Sequence, residues 1–169
     1  MGLGASNMSI RVSDAVSVFS TSDLATNKGK IRGTVLFKQY SDHVKVTLEL
    51  KGLKKNKKHG FHIHVNGDLR EGCKSCCSHY NPTGDKHGGL RDIDSHAGDL
   101  GNIEGDSKGE CNISFTTGKF TVSEIVGRSL IIHEDEDDLG RGDEKDSDTT
   151  GHSGARIACA IIGIVSEKC

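Results

Sequence analysis

Apolar and polar residues alternate along this chain in short runs, and nowhere do they recur at the three-and-four spacing of a long amphipathic helix. Residues 15–20 read as a first strand, with Ala15, Val16, Val18 and Phe19 as its apolar content. Ile31, Gly33, Val35 and Phe37 mark one face of a second strand, and Val44, Val46, Leu48 and Leu50 one face of a third. Residues 28–51 are therefore predicted to form a hairpin that turns near Ser41 and Asp42. Phe61, Ile63 and Val65 alternate with His62 and His64, which puts both histidines on the opposite face of a fourth strand. Cys111, Ile113 and Phe115 mark a fifth, residues 120–122 a sixth and residues 129–133 a seventh. Residues 156–165, with Ile157, Ala158, Ile161, Ile162 and Ile164, make the last and densest.

Two stretches carry no such pattern, 66–108 and 134–154. Structureless loops of that length inside a compact domain are uncommon unless they have a function. Eight short strands with two long functional loops predict an all-β chain, folded as an antiparallel barrel or sandwich. The 22 glycines, single proline and absent tryptophan fit strands joined by turns. At 169 residues the chain fits one domain over 15–169, preceded by a flexible extension over 1–14.

A net charge of −2 provides no basic field for a phosphate backbone, so nucleic acid is not an expected partner. Charge is nonetheless uneven. Lys51, Lys54, Lys55, Lys57 and Lys58 cluster before the first histidine pair, and nine acids fall between Glu134 and Asp148; both runs are expected to be solvated faces. No segment is long and apolar enough to span a bilayer, and the N-terminus lacks the apolar core of a secretory signal, which predicts a cytoplasmic protein. Met1-Gly2-Leu3-Gly4-Ala5-Ser6 fits the loose pattern for myristoylation of Gly2, a weaker expectation than an unmodified leader.

The chemistry lies in His62, His64, His79, His87, His96, Asp99 and His133. Six imidazoles and a carboxylate exceed what one divalent ion needs and suit two sites that share a ligand. His62 and His64, two apart on a strand, can chelate from one side, and His133 could return to them as a further ligand. Imidazole-rich coordination with an open face suits copper. Three imidazoles and a carboxylate from one loop, His79, His87, His96 and Asp99, suit a closed zinc site.

The strings Gly60-Phe61-His62-Ile63-His64, His79-Tyr80-Asn81-Pro82, Lys86-His87-Gly88-Gly89, His96-Ala97-Gly98-Asp99-Leu100-Gly101, His133-Glu134 and Gly154-Ala155-Arg156-Ile157-Ala158-Cys159 resemble the copper/zinc superoxide dismutase family over roughly residues 15–165. The resemblance implies an eight-stranded antiparallel Greek-key barrel with one copper and one zinc per subunit. It implies copper on His62, His64, His79 and His133, zinc on His79, His87, His96 and Asp99, and His79 as the shared ligand. Asp137 matches a carboxylate that links His62 and His87, and Arg156 a guanidinium beside copper. Thr150 would narrow the approach, and Cys73 and Cys159 would form a disulfide within the subunit. His59 matches a histidine that is not a ligand.

The implied activity is conversion of superoxide to dioxygen and hydrogen peroxide in antioxidant defence, with His79 taking up and handing on a proton. Superoxide is the implied substrate, a homodimer the implied assembly and a copper chaperone an expected partner. The rival reading is a catalytically weak copper carrier, favoured by Cys76 and Cys77 beside the disulfide. Those two thiols depart from the family pattern, as do Thr149, where a lysine is frequent, and Asn66, where an aromatic residue is common.

Overall fold

The computed structural model describes residues 13–21 and 30–165. The expected leader with the Gly2 pattern lies outside the described residues except for Ser13 and Asp14, and Asp14 already opens a strand. The chain runs β1 (Asp14–Phe19), β2 (Arg32–Gln39), β3 (Val44–Lys51), β4 (Lys57–His64), β5 (Arg70–Cys73), β6 (Asp99–Gly105), β7 (Glu110–Thr117), α1 (Val122–Ile125), β8 (Ser129–His133), α2 (Ser147–Thr150) and β9 (Arg156–Ile164). One 3-10 turn, Lys74–Cys76, follows β5.

Eight of these strands form a single sheet in the order β6-β4-β8-β9-β1-β2-β3-β7, with antiparallel pairing between neighbours. The two outermost strands, β6 and β7, follow one another through the turn at 106–109, so the sheet curls into a nearly closed barrel. Because β3 and β4 lie far apart in the sheet, the chain crosses the barrel end between them, as the Greek-key expectation requires. The expected hairpin is present, with Gln39 opposite Val44. Its inward faces supply Val35, Phe37, Val44, Val46, Leu48 and Leu50 to the core, which Phe61, Ile63, Leu130, Ile132 and Ile162 complete from the other side.

The sheet has eight strands, as expected, but their membership differs, and a ninth short strand, β5, lies outside it in the stretch expected to be irregular. Residues 120–122 are not a strand, because Val122 begins α1. The string Thr121-Val122-Ser123-Glu124 is a capping box: the Glu124 carboxylate accepts from the Thr121 amide at 2.6 Å and hydroxyl at 2.7 Å. The missing strand is β6, inside the stretch expected to be irregular. Gly101 adopts φ +78°, and the β4–β6 register slips between Gly60 and His62, so β6 lacks the regular alternation that marks a strand in sequence. The lysine run is exposed, as expected, but the acid run is not a uniformly solvated face: Asp137 is buried, and Glu134, Asp138 and Asp146 are half-buried. The two runs meet, Lys54 lying 3.5 Å from Glu134 and Lys58 2.7 Å from Glu136.

Candidate metal centre

Phe61 and Ile63 of β4 point into the barrel, so the alternating His62 and His64 emerge on its outer wall. There they are not exposed, because the long loops fold over them and leave both essentially buried. β8 is the neighbour of β4, with Phe61 opposite Ile132, which places His133 at the same end of the wall. Two backbone bonds lace the loop onto β4, Tyr80 N–H to Ile63 O and Ile63 N–H to Gly98 O, and a third, Gly98 N–H to Tyr80 O, ties the loop to itself. This crossing sets His79 and His96 against the wall. It needs Gly98, since a Cβ there would collide with the Ile63 carbonyl. Asp99, the first residue of β6, is the register partner of His62.

The donor atoms of His62, His64, His79 and His133 lie within 4.8 Å of one another, and so do those of His62, His79, His87 and Asp99. His62 and His79 stack with ring centroids 4.1 Å apart, and His133 sits 4.9 Å from His62. His96 joins the second group through Asp99, its Nδ1 being 3.2 Å from Oδ1.

Each ring has one nitrogen committed elsewhere. His62 Nε2 and His87 Nε2 donate to the two oxygens of Asp137, at 2.7 and 2.8 Å. His64 Nδ1 donates to the Cys77 carbonyl at 2.8 Å, and His133 Nδ1 faces the Gly154 carbonyl at 3.3 Å. These partners fix the tautomer and leave the opposite nitrogen with its lone pair. His62 Nδ1, His64 Nε2, His79 Nε2 and His133 Nε2 are buried with no hydrogen-bond partner, and His87 Nδ1 faces only the Asp99 carboxylate, 3.1 Å away. Four such atoms around one spot are costly unless a ligand satisfies them.

Burial keeps most of these rings neutral. It lowers His62 and His64 well below the ordinary histidine range, and His79 less so because Asp99 opposes it there, with neighbouring imidazoles adding to the lowering in all three. His133 falls to about 3, again from burial and the nearby His79. His87 is the exception: burial opposes its protonation, but hydrogen bonds to Asp137 and Asp99 raise it to about 9. The Asp99 carboxylate is held far below its usual range, because its bonds to His79, His87 and His96 outweigh the cost of burial.

The copper/zinc superoxide dismutase family model matches residues 31–162. A superoxide dismutase [Cu-Zn] of Paramecium bursaria Chlorella virus 1 is 44% identical over 150 residues, covering 87% of this chain and 80% of its own. An extracellular superoxide dismutase [Cu-Zn] of Drosophila melanogaster is 46% identical over 140 residues, covering 80% and 77%. Among solved structures, that of the clock protein EA4 superimposes with a TM-score of 0.84 at 37% identity, covering 98% of this chain and 100% of its own. The chain belongs to the copper/zinc superoxide dismutase family.

The family's two cofactors, copper and zinc, fit the donors present. Donors of a tetrahedral zinc at about 2.0 Å lie about 3.3 Å apart. Here Asp99 oxygens stand 2.9 Å from His79 Nδ1, 3.1 Å from His87 Nδ1 and 3.2 Å from His96 Nδ1. The unpartnered His62, His64, His79 and His133 nitrogens are the imidazole set that suits copper. His79 offers one nitrogen to each group.

Arg156 opens β9 beside this wall. Its Nη1 donates to the Cys73 carbonyl at 2.7 Å, and its Nη2 to the Cys77 carbonyl that also receives His64 Nδ1. Among the described residues no carboxylate forms an ion pair with it, so its charge is uncompensated there. Cys73 and Cys159 are bonded, with Cα atoms 5.6 Å apart. Thr150 is exposed at the end of α2, and its hydroxyl reaches back to Asp146. His59 is buried between the His133 carbonyl, 2.7 Å from its Nδ1, and the Lys54 amide, 3.3 Å from its Nε2. It thus braces the strand end that carries His133.

Two bracing residues were not legible in the sequence. The Asn102 amide binds the backbone of Asp137 twice, at 2.8 Å each way. Lys119 extends from the loop after β7 to Ser95 Oγ and, at 3.3 Å, to the Gly89 carbonyl, and burial lowers its pKa. No local pattern marks either: Asn102 lies in β6, whose alternation Gly101 and the register slip break, and Lys119 lies in a loop.

Proposed function

We propose that this chain disproportionates superoxide, two anions and two protons giving dioxygen and hydrogen peroxide, with one copper and one zinc per subunit. Copper is held by His62 Nδ1, His64 Nε2, His79 Nε2 and His133 Nε2, and zinc by the Nδ1 atoms of His79, His87 and His96 with the Asp99 carboxylate. The observation that carries this reading is the set of buried imidazole nitrogens with no partner, each on a ring whose orientation is fixed by a second bond or by packing. Bound copper supplies the one-electron exchange with superoxide, whereas zinc is redox-inert and serves the fold.

The remaining work belongs to the chain. Asp137 orients His62 and His87 and so ties the two groups together. Arg156 attracts and orients the anion with a charge that no carboxylate cancels. His79 would take up a proton on Nε2 only while that nitrogen is free of copper, and would pass it to the second superoxide; Thr150 borders the approach. A copper carrier has no use for an anion-binding guanidinium, so Arg156 favours the enzyme.

The subunits pair as a homodimer, for which the exposed Ile161 and Ile164 of β9 are available. The protein resides in the cytoplasm and receives its copper from a chaperone. Among the described residues no helix is long and apolar enough to cross a membrane.

The test is superoxide disproportionation by the purified protein with copper and zinc counted on the same sample. Turnover that requires copper and is lost in His133→Ala is expected. Full metal occupancy without turnover would overturn the enzyme and leave the carrier.

A further inference from the structure

We propose that Cys73 has two alternative disulfide partners, Cys159 and Cys76, and that exchange between them attaches or releases the metal-site loop from β9. The observation is a juxtaposition. Cys73-Lys74-Ser75-Cys76 is a C-x-x-C string, and it is wound into the 3-10 turn for which Cys73 is the N-cap. In such a turn residues three apart eclipse one another, and a rise of about 2.0 Å per residue puts their Cα atoms about 6 Å apart. That is within the range a disulfide spans. The bond observed, Cys73 to Cys159, has a Cα separation of 5.6 Å. The ideal geometry of the turn therefore puts a second thiol, that of Cys76, within disulfide range of Cys73.

The side chains are already together. Cys73, Cys76, Cys159 and Ile131 form one buried apolar cluster, with Leu69 against it, separate from the barrel core that holds Cys111. Cys76 is a free thiol with no exposed surface, its Sγ 3.6 Å from the Asp68 carbonyl, and burial raises its pKa, opposed by the nearby Ser129 hydroxyl and the charge of Arg156. It is protonated, and so unreactive, while the cluster is packed.

The step is a thiol–disulfide exchange and balances without an outside oxidant. Cys76 loses its proton, its Sγ attacks the Sγ of Cys73, the Cys73–Cys159 bond breaks, and Cys159 leaves as a thiolate that takes up a proton. One disulfide and one thiol enter, and one of each remains. The local turn keeps Cys76 at hand whether or not β9 is docked, whereas Cys159 is 86 residues away and reaches Cys73 only when it is. The partner of Cys73 thus reports the docking of β9. In the Cys76-bonded isomer, the Arg156 bonds to the Cys73 and Cys77 carbonyls lose the covalent tether beside them.

The experiment maps disulfides in the oxidised full-length protein, fully metal-loaded or stripped with a chelator at mildly alkaline pH, with thiols trapped by iodoacetamide over time. In the stripped protein a Cys73–Cys76 linked peptide and alkylated Cys159 are expected to accumulate, with the number of free thiols unchanged. Cys76→Ala is expected to lose that peptide, and Cys77→Ser to retain it. Cys73 bonded to Cys159 alone at all times in the parent protein would overturn the proposal. So would exchange that survives Cys76→Ala and vanishes in Cys77→Ser. Neither outcome bears on whether the loaded protein turns over superoxide, so this proposal and the dismutase reading fail separately.

Discussion

A buried imidazole has two nitrogens to satisfy, and at this wall the chain satisfies one and aims the other. Asp137 does so for two rings at once, and its own position depends on Asn102. It also depends on Gly151, at φ +67°, where a side chain would collide with both the carboxylate and the His87 ring. Replacing Asp137 with Asn keeps the shape but gives up one acceptor oxygen, so only one ring remains properly held. Metal affinity is expected to fall by roughly 10- to 100-fold, zinc included because His87 is one of the two rings. Competition against a graded chelator, read by metal counting, checks this, and unchanged retention would assign orientation of the rings to packing alone.

At the scale of elements, two local rules compete over residues 120–125. Phe120 and Val122 look like strand positions, but Thr121 and Glu124 sit at the spacing of a reciprocal cap, and the cap prevails because it satisfies orphan donors at the start of the turn. Glu124→Ala is expected to destabilise the fold by about 1 kcal/mol, seen as a lower urea midpoint with unchanged slope. Metal content is expected to stay the same, since α1 carries no ligand. Elsewhere the elements that matter were visible as pattern: β4 with its histidine pair, β8 ending at His133, β9 opening at Arg156. β6 was not, because its register slip and Gly101 break the alternation a strand normally shows.

For the whole molecule the acidic loop raises a question of sign, since nine acids near an anion's approach should repel it. In the structure many are engaged: Glu134 with Lys54, Glu136 with Lys58, Asp146 with His152, Asp148 with Lys86, and Asp137 with the metal-site rings. Arg156 is not so cancelled. The turnover rate is therefore expected to fall as ionic strength rises, because salt screens a net attraction; a rate that climbs with salt would show that the loop dominates. Stability of the metal-free protein has its own pH dependence. His62, His64, His79 and His133 bind protons less readily folded than unfolded, so acid favours unfolding from about pH 6.5 downward, through about 3 for His133. His87, raised to about 9, contributes stability that is complete below about pH 6.5 and is lost as pH rises through 9. The melting temperature is expected to peak near neutrality and to fall between pH 7 and 4, and a steady rise toward acid would contradict the neutral rings.

The sequence by itself determined the ligand types, their order along the chain, the barrel's apolar alternation and the charge of Arg156, because each is a matter of residue identity and short spacing. Only the tertiary structure decided which nitrogen of each ring is left without a partner, that Asn102 and Lys119 brace the loops, and that the lysine and acid runs meet. It alone places Cys76 in the same buried cluster as the disulfide. Those outcomes depend on contacts between segments tens of residues apart, and a hydrogen bond or a packed thiol has no trace in the local pattern that writes a strand.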